Sequence, residues 1–262
     1  NLLILVPVLY FSSFISSIYY IYSGKLSFSQ VSNWLFLFAV LCQIVLLGSQ
    51  TIDFKLRNIE TSLFVASMLL SIFAYIFIRQ NIKNLYCFFI SPVGFILTVP
   101  LLMIGIEDGG SAYNNRILII HVLLNILSHT TLLISSIFSI LFIFQHNRFK
   151  NKKVRKTSRL PGLSLIEKIN FNLIICSFPL MTIGLTLGFL LSKNQIGSYW
   201  FGTVSVISIF SWLIYFCIIQ MRIIYKLSGF KISILSLLGF TSIIAGYVFM
   251  YLLDLPSHTF IG

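Results

Sequence analysis

The sequence predicts an all-α membrane protein, a polytopic bundle of about eight transmembrane helices with both termini on the outer side. Hydrophobic residues make up 58% of the 262 positions and charged residues only 9%, which is more apolar surface than a water-soluble domain can bury. Several runs reach the roughly 20 apolar residues that a helix needs to cross a hydrocarbon core about 30 Å thick. They lack the polar alternation of a transmembrane barrel wall, so helices are the predicted spanning elements.

We interpret residues 1–262 as a single membrane domain that contains all of these spans. In order, they are predicted at residues 2–22, 33–50, 61–79, 86–106, 117–145, 169–191, 200–221 and 232–253. The first run lacks a basic N-terminal region and a small-residue cleavage site, so we expect a mature span and not a signal peptide. Pro92, Pro100 and Pro179 fall inside spans, where neighbouring helices can satisfy the carbonyl that each ring leaves unpaired.

The distribution of basic residues predicts the orientation, because cytoplasmic loops retain Lys and Arg. The loop at residues 146–168 contains eight of the 18 basic side chains, with Glu167 as its only acid. Alternation through the spans then adds to the cytoplasmic side Lys25, Arg79, Lys83, Arg222, Lys226 and Lys231. Only four basic residues remain outside: Lys55, Arg57, Arg116 and Lys193.

This charge distribution also bears on partners. The formal net charge of +12 reflects topology and attraction to anionic lipid headgroups. We therefore expect membrane lipids as partners, and a membrane or soluble protein that docks on the basic loop 146–168. Nucleic acid is not an expected partner, because no folded domain remains to bind it.

Two small-residue patterns predict packing. Cys42, Cys87, Cys176 and Cys217 each stand alone in an apolar segment without a CxxC pair, so we expect packing cysteines and not a metal or redox motif. The sixth span contains a GxxxG pair, Gly184 and Gly188, which lets another helix approach closely. Internal packing is favoured over a homodimer face.

Two histidines are predicted to share the outer face. His121 lies near the outer end of the fifth span, and His258 follows the eighth. Two neutral imidazoles from different helices can supply both axial nitrogens of a haem iron, so we predict His121 and His258 as metal ligands, although either could be an ordinary interfacial residue. His146, where the basic loop begins, is interpreted as a solvated interfacial residue.

His129 lies eight residues beyond His121, roughly 12 Å deeper and rotated by about 80° around the helix. It therefore cannot bind the same small centre. A histidine inside the membrane is costly unless hydrogen-bonded, so we expect a Ser or Asn partner on a neighbouring span. A second haem site or a proton relay is the alternative role.

Tyr199 and Trp200 follow Gly197 and Ser198 at the predicted outer mouth of the seventh span. Amphipathic rings of this kind often serve as interfacial anchors. Flat aromatic surfaces also pack against a porphyrin, so both residues are candidates for cofactor binding.

These segments resemble the cytochrome c assembly proteins of the CcsA and CcmC type, and most of all their reduced relatives, the YpjD and HemX proteins. The resemblance is strongest in residues 117–262. It is carried by HVLLNILSHTTLLISSIFSILFIFQHNRFKNKK, RLPGLSLIEKINFNLIICSFPLMTIGLTLGFLL, GSYW and LPSHTF. The N-terminal half is similar more loosely, mainly in DFKLRNIETSLFVASMLL.

The resemblance implies a haem-handling membrane protein, in which two outer-face histidines flank a tryptophan-rich segment that presents haem to an apocytochrome. Those histidines correspond to His121 and His258, and the segment begins with a match at Tyr199 and Trp200. Gly202 and Thr203 stand where the assembly proteins have Trp and Asp. The implied location is a bacterial inner (plasma) membrane.

Three functional interpretations follow. The leading one is a haem-associated protein of cytochrome complex assembly, and the second is a non-enzymatic scaffold or regulatory subunit with an eroded haem site. A small-molecule transporter is less favoured, because inverted repeats and polar residues at the midplane are not evident. Catalysis is not expected, since no carboxylate pair, nucleophile with base or phosphate-binding loop is placed in a plausible pocket.

Overall fold

The computed structural model describes residues 2–49, 59–104, 116–151, 160–196, 203–227 and 229–252. Within these ranges the regular structure is helical, and eight helices are long and apolar enough to cross a membrane. The predicted fold class, an all-α multi-pass membrane protein, is confirmed. Tyr199, Trp200, His258 and residues 152–159 of the basic loop lie outside the described residues.

The helices follow the predicted order but differ in length. They are α1 (Leu2–Ser23), α2 (Leu26–Gly48), α3 (Ile59–Phe73), α4 (Tyr86–Ile104), α5 (Arg116–Lys150), α6 (Leu163–Ile196), α7 (Thr203–Ile224) and α8 (Gly229–Leu252). A single π-helical turn, Ala74–Ile78, continues α3. At 35 residues, α5 is about 52 Å long, so it extends well beyond the hydrocarbon core. Hydropathy locates only the part of such a helix that lies in lipid.

Helix α2 begins at Leu26, and the predicted span began seven residues later. The intervening segment is rich in serine, which lowers its hydropathy, yet the Ser32 hydroxyl within it is buried and paired with α1. Ser32 Oγ lies 2.6 Å from Ser17 Oγ and donates to the Ser13 carbonyl at 2.8 Å. Ser16 likewise donates to the Phe28 carbonyl at 2.9 Å. Because these hydroxyls are satisfied inside the protein, the helix tolerates them at membrane depth.

The chain divides into two compact units, the first containing α1 to α4 and the second α5 to α8. Tyr10 lies at the centre of the first unit, where its side chain is fully buried. Its hydroxyl donates to Gln43 Oε1 at 2.7 Å and lies 2.8 Å from Ser71 Oγ, while Gln43 Nε2 donates to Ser67 Oγ at 2.6 Å. Gly94 faces the Tyr10 ring, where a Cβ would come within 2.9 Å of Cε1. A polar network therefore joins α1, α2 and α3, and α4 packs against the same tyrosine ring.

The second unit also combines an apolar core with a buried polar cluster. Its fully buried residues include Leu132, Ile174, Tyr215, Ile218, Ile232 and Ile243. Ser135 on α5 donates to Asn170 Oδ1 on α6 at 2.5 Å and lies 3.0 Å from Ser236 Oγ on α8. Asn170 Nδ2 donates back to Ser139 Oγ at 2.9 Å. These hydrogen bonds connect α5 to α6 and to α8.

The predicted cytoplasmic end of this unit is closed by a charged cluster. Glu167 on α6 forms an ion pair with Arg222 on α7, and Arg222 also donates to the Leu227 carbonyl. The Glu167 carboxylate lies so close to Gly229, the first residue of α8, that a Cβ would overlap it. Since the positive end of a helix dipole is at its N-terminus, this position suits a carboxylate.

Two interpretations from the sequence are corrected here. His146 is not simply solvated: its half-buried ring packs against Phe230, with the ring centroids 4.6 Å apart. Cys42 and Cys87 are buried as predicted, but Cys176 and Cys217 are exposed. Hydropathy cannot separate these cases, because a lipid-facing position is as apolar as a core position. The single-domain interpretation of residues 1–262 stays a prediction.

Candidate functional site

The candidate site lies between α5 and α6, near the N-terminal end of α5, where two glycines of α6 face side chains of α5. Gly188 on α6 faces the ring of His121, and a Cβ there would come within 2.7 Å of Cε1. Gly184, one turn earlier, faces Asn125, whose amide oxygen would overlap a Cβ. The GxxxG pair is therefore used within the chain, as predicted, and it admits two polar side chains of α5.

The imidazole of His121 is held in one orientation by α6. Its Nδ1 lies 2.7 Å from the carbonyl oxygen of Gly184. A carbonyl only accepts hydrogen bonds, so Nδ1 must carry the proton and donate it. In the neutral ring, Nε2 is then the nitrogen with a lone pair. Histidines that bind metals are commonly fixed in this way, by a bond from the other ring nitrogen to a carbonyl.

The amide of Asn125 lies beside the same ring. Its Nδ2 is 3.3 Å from each ring nitrogen of His121. It can donate to Nε2 only through a long bond, which a stronger ligand at that nitrogen would replace. Asn125 therefore gives the lone pair of Nε2 a polar neighbour inside an apolar helix bundle.

His129 repeats the pattern one level deeper. Its Nδ1 donates to the backbone carbonyl of Asn125, one turn earlier on its own helix, at 2.7 Å. This bond was not anticipated, since a Ser or Asn side chain on a neighbouring span was expected. Its Nε2 is again the acceptor nitrogen, so the structural and the second-site interpretations of His129 both stay open.

The convergence of His121 with His258 is not tested, because His258 lies outside the described residues, as do Tyr199 and Trp200. In the part of the chain that is described, no group of three or more His, Cys, Asp or Glu side chains could hold a metal ion. A bare metal centre therefore has no ligand set there. A haem iron is a different case, since the macrocycle supplies four nitrogens and the protein supplies only axial ligands.

Sequence reasoning missed Asn125 and Trp212. Asn125 could have been found from its position four residues from both His121 and His129, which places three polar side chains along an apolar helix. Trp212 gives no such signal in the sequence. Its indole N–H donates to Thr182 Oγ1 at 2.9 Å, and its ring stacks with Phe178 and Phe216 at centroid distances of 5.3 and 5.4 Å.

Comparison with known protein families shows which family this chain belongs to. The family described as cytochrome C assembly protein matches residues 2–255, which include the whole of both units as described. The chain belongs to the cytochrome c assembly protein family. The match to this assembly family extends through the N-terminal half, where the resemblance seen in the sequence was looser.

Individual relatives in the assembly family are distant. Protein HemX of Bacillus subtilis (strain 168) is 24% identical over 182 residues, which cover 67% of this chain and 66% of HemX. The cytochrome c biogenesis protein CcsA of Chlamydomonas reinhardtii is 27% identical over 150 residues, 57% of this chain and 42% of that protein. CcsA of Guillardia theta is 24% identical over 244 residues, 82% of this chain and 80% of that protein. The aligned part thus spans just under two thirds of HemX and less than half of the Chlamydomonas protein.

Proposed function

We propose that this protein binds haem at the outer end of its second unit and acts in cytochrome c biogenesis. Its family and its relatives named CcsA point to that process. The observation that carries the assignment to this site is the orientation of His121, with Nδ1 bonded to Gly184 and Nε2 left as the acceptor. His258 is proposed as the second axial ligand.

The orientation and chemistry of His121 support its assignment as an axial ligand of a haem iron. Neutral imidazole is the commonest axial ligand of haem proteins, and a bond from its Nδ1 to a carbonyl raises its basicity and fixes its plane. His121 is only half-buried, so a flat ligand can approach its ring. When bound, haem supplies the iron and the macrocycle, while this chain's residues bind and orient it. Tyr199 and Trp200 are proposed to pack against the macrocycle.

Absorption spectroscopy tests the proposal directly. The protein is purified in detergent from haem-replete cells, and we expect low-spin Soret and α/β bands from two axial imidazoles. His121→Ala and His258→Ala should each abolish the low-spin spectrum. His146→Ala is the matched control, because His146 lies on the same helix but packs on Phe230 at the other end. A wild-type protein without bound or titratable haem, or a His121→Ala protein with an unchanged spectrum, refutes the proposal.

A second candidate function is a non-enzymatic scaffold, favoured by Gly202 and Thr203 in place of Trp and Asp. A scaffold should copurify from native membranes with a stoichiometric partner and without pigment. Neutralising the basic residues of loop 146–168 should then weaken the complex, and unchanged recovery would count against docking there. Neither candidate assigns a catalytic residue, and for both we propose the bacterial inner membrane as the location.

A further inference from the structure

An open groove is lined by residues of α7 and one residue of α8. It has a volume of about 290 Å³ and is lined by apolar side chains and one thiol, among them Phe210, Leu213, Cys217 and Met221 of α7 and Leu235 of α8. These α7 residues recur every three or four positions, so they form a single stripe. Phe210 is 59% exposed and Met221 is 37% exposed, which shows that the groove opens outward.

The length of the groove matches one leaflet of a bilayer. Phe210 and Met221 are eleven residues apart, which corresponds to roughly 16 Å along a helix. Half of a hydrocarbon core is about 15 Å thick. Met221 lies in the last turn of α7, which ends at Ile224, so the groove runs from the middle of the helix to headgroup depth. These dimensions suit a single extended acyl chain.

Positive charge lies at the headgroup end of this groove. Lys231 precedes Leu235 by four residues on α8, so it lies on the same face, one turn nearer to the N-terminus of that helix. Lys226 follows the end of α7, and both lysines are exposed. Among the residues that the structure describes, the one salt bridge joins Arg222 to Glu167. Arg222 is thus neutralised, whereas Lys226 and Lys231 have no carboxylate partner there.

We propose that this groove binds an anionic phospholipid, with one acyl chain along α7 and the phosphate at Lys226 and Lys231. Lipid tails are as apolar as the groove, so the groove alone would bind any lipid weakly, by packing. Selectivity comes from the two lysines, because each cation near the membrane surface attracts anionic headgroups. The site does not depend on haem.

Native mass spectrometry tests the lipid preference. The full-length protein in detergent is offered equimolar phosphatidylglycerol and phosphatidylcholine with identical acyl chains. We expect phosphatidylglycerol to be retained in preference, and the double variant Lys226→Gln/Lys231→Gln to lower that preference about tenfold or more. Lys25→Gln/Lys83→Gln is the matched control, because it removes the same charge from the first unit and should leave the preference unchanged.

A second pair of variants tests the groove. Cys217→Phe fills it and should abolish retention of both lipids, whereas Cys176→Phe alters the other exposed cysteine, on α6, and should retain them. The proposal is overturned if the lysine variants keep the wild-type preference, or if the Lys25/Lys83 control loses it equally. It is also overturned if the wild-type protein is a dimer that Cys217→Phe dissociates, since the groove would then hold a second copy of the chain.

Discussion

The orientation of the His121 ring depends on Gly184 and Gly188 of α6. Because neither glycine has a side chain, the backbone of α6 comes close enough for the Gly184 carbonyl to accept a hydrogen bond from Nδ1. The polar groups concerned are thereby paired without a charged residue, which keeps the cost of placing a histidine in the membrane low. At this scale, the proposed haem ligand and the two glycines that orient it depend on one another.

Substituting Gly188 by alanine tests this dependence. A Cβ would lie 2.7 Å from His121 Cε1, so the ring must shift, and we expect its bond to the Gly184 carbonyl to lengthen or break. Alanine favours helix over glycine by about 1 kcal/mol, and overpacking costs about 1–3 kcal/mol, so we expect only a small change in the free energy of unfolding. Haem affinity, measured by titration in detergent, should fall at least about tenfold as the oriented ligand is lost.

Gly48→Ala is the control for this substitution, because nothing lies within 4 Å of a Cβ at Gly48. It should bind haem like the wild-type protein. Equal affinities for Gly188→Ala and Gly48→Ala would show that the orientation of His121 does not govern binding.

Among the helices, the sequence predicted which segments cross the membrane but not where they end or which ones touch. Runs of apolar residues identify a span because lipid excludes charge, and α1 to α8 follow that order. The start of α2 was misplaced because buried serine pairs, such as Ser17 with Ser32, look polar in a hydropathy profile. The spacing of residues could not predict the contact of His121 with Gly184, because the sequence of a span does not show which other helix packs against it. The convergence with His258 stays a prediction.

One ion pair joins the beginning of α6 to the end of α7, and its contribution to stability can be measured. Glu167→Gln keeps the size of the side chain but removes the charge that faces Arg222. Both side chains are about one quarter exposed, so the cost should fall between that of a surface pair and a buried pair, about 1–2 kcal/mol of unfolding free energy.

A double-mutant cycle separates the pair from its surroundings. Arg222→Gln added to Glu167→Gln should cost less than the sum of the two single changes, because each single variant has already lost the pair. Unfolding in mixed micelles gives the energies, and Lys168→Gln, the adjacent basic residue, serves as the control. Strictly additive effects would show that the two side chains do not stabilise the unit together.

For the whole molecule, the distribution of charge predicts one orientation, with the basic ends of the helices in the cytoplasm. Two exposed positions on opposite predicted sides can report it: Asn151, just after α5, and Ser49, just after α2. In a variant without the native cysteines, Asn151→Cys should react with a membrane-impermeant maleimide only in inside-out vesicles. Ser49→Cys should react only in right-side-out vesicles. The reverse labelling pattern would place His121 on the cytoplasmic side, because His121 and Asn151 lie at opposite ends of the membrane-spanning helix α5. An outer-face haem site would then have to be abandoned even if His121 binds the iron.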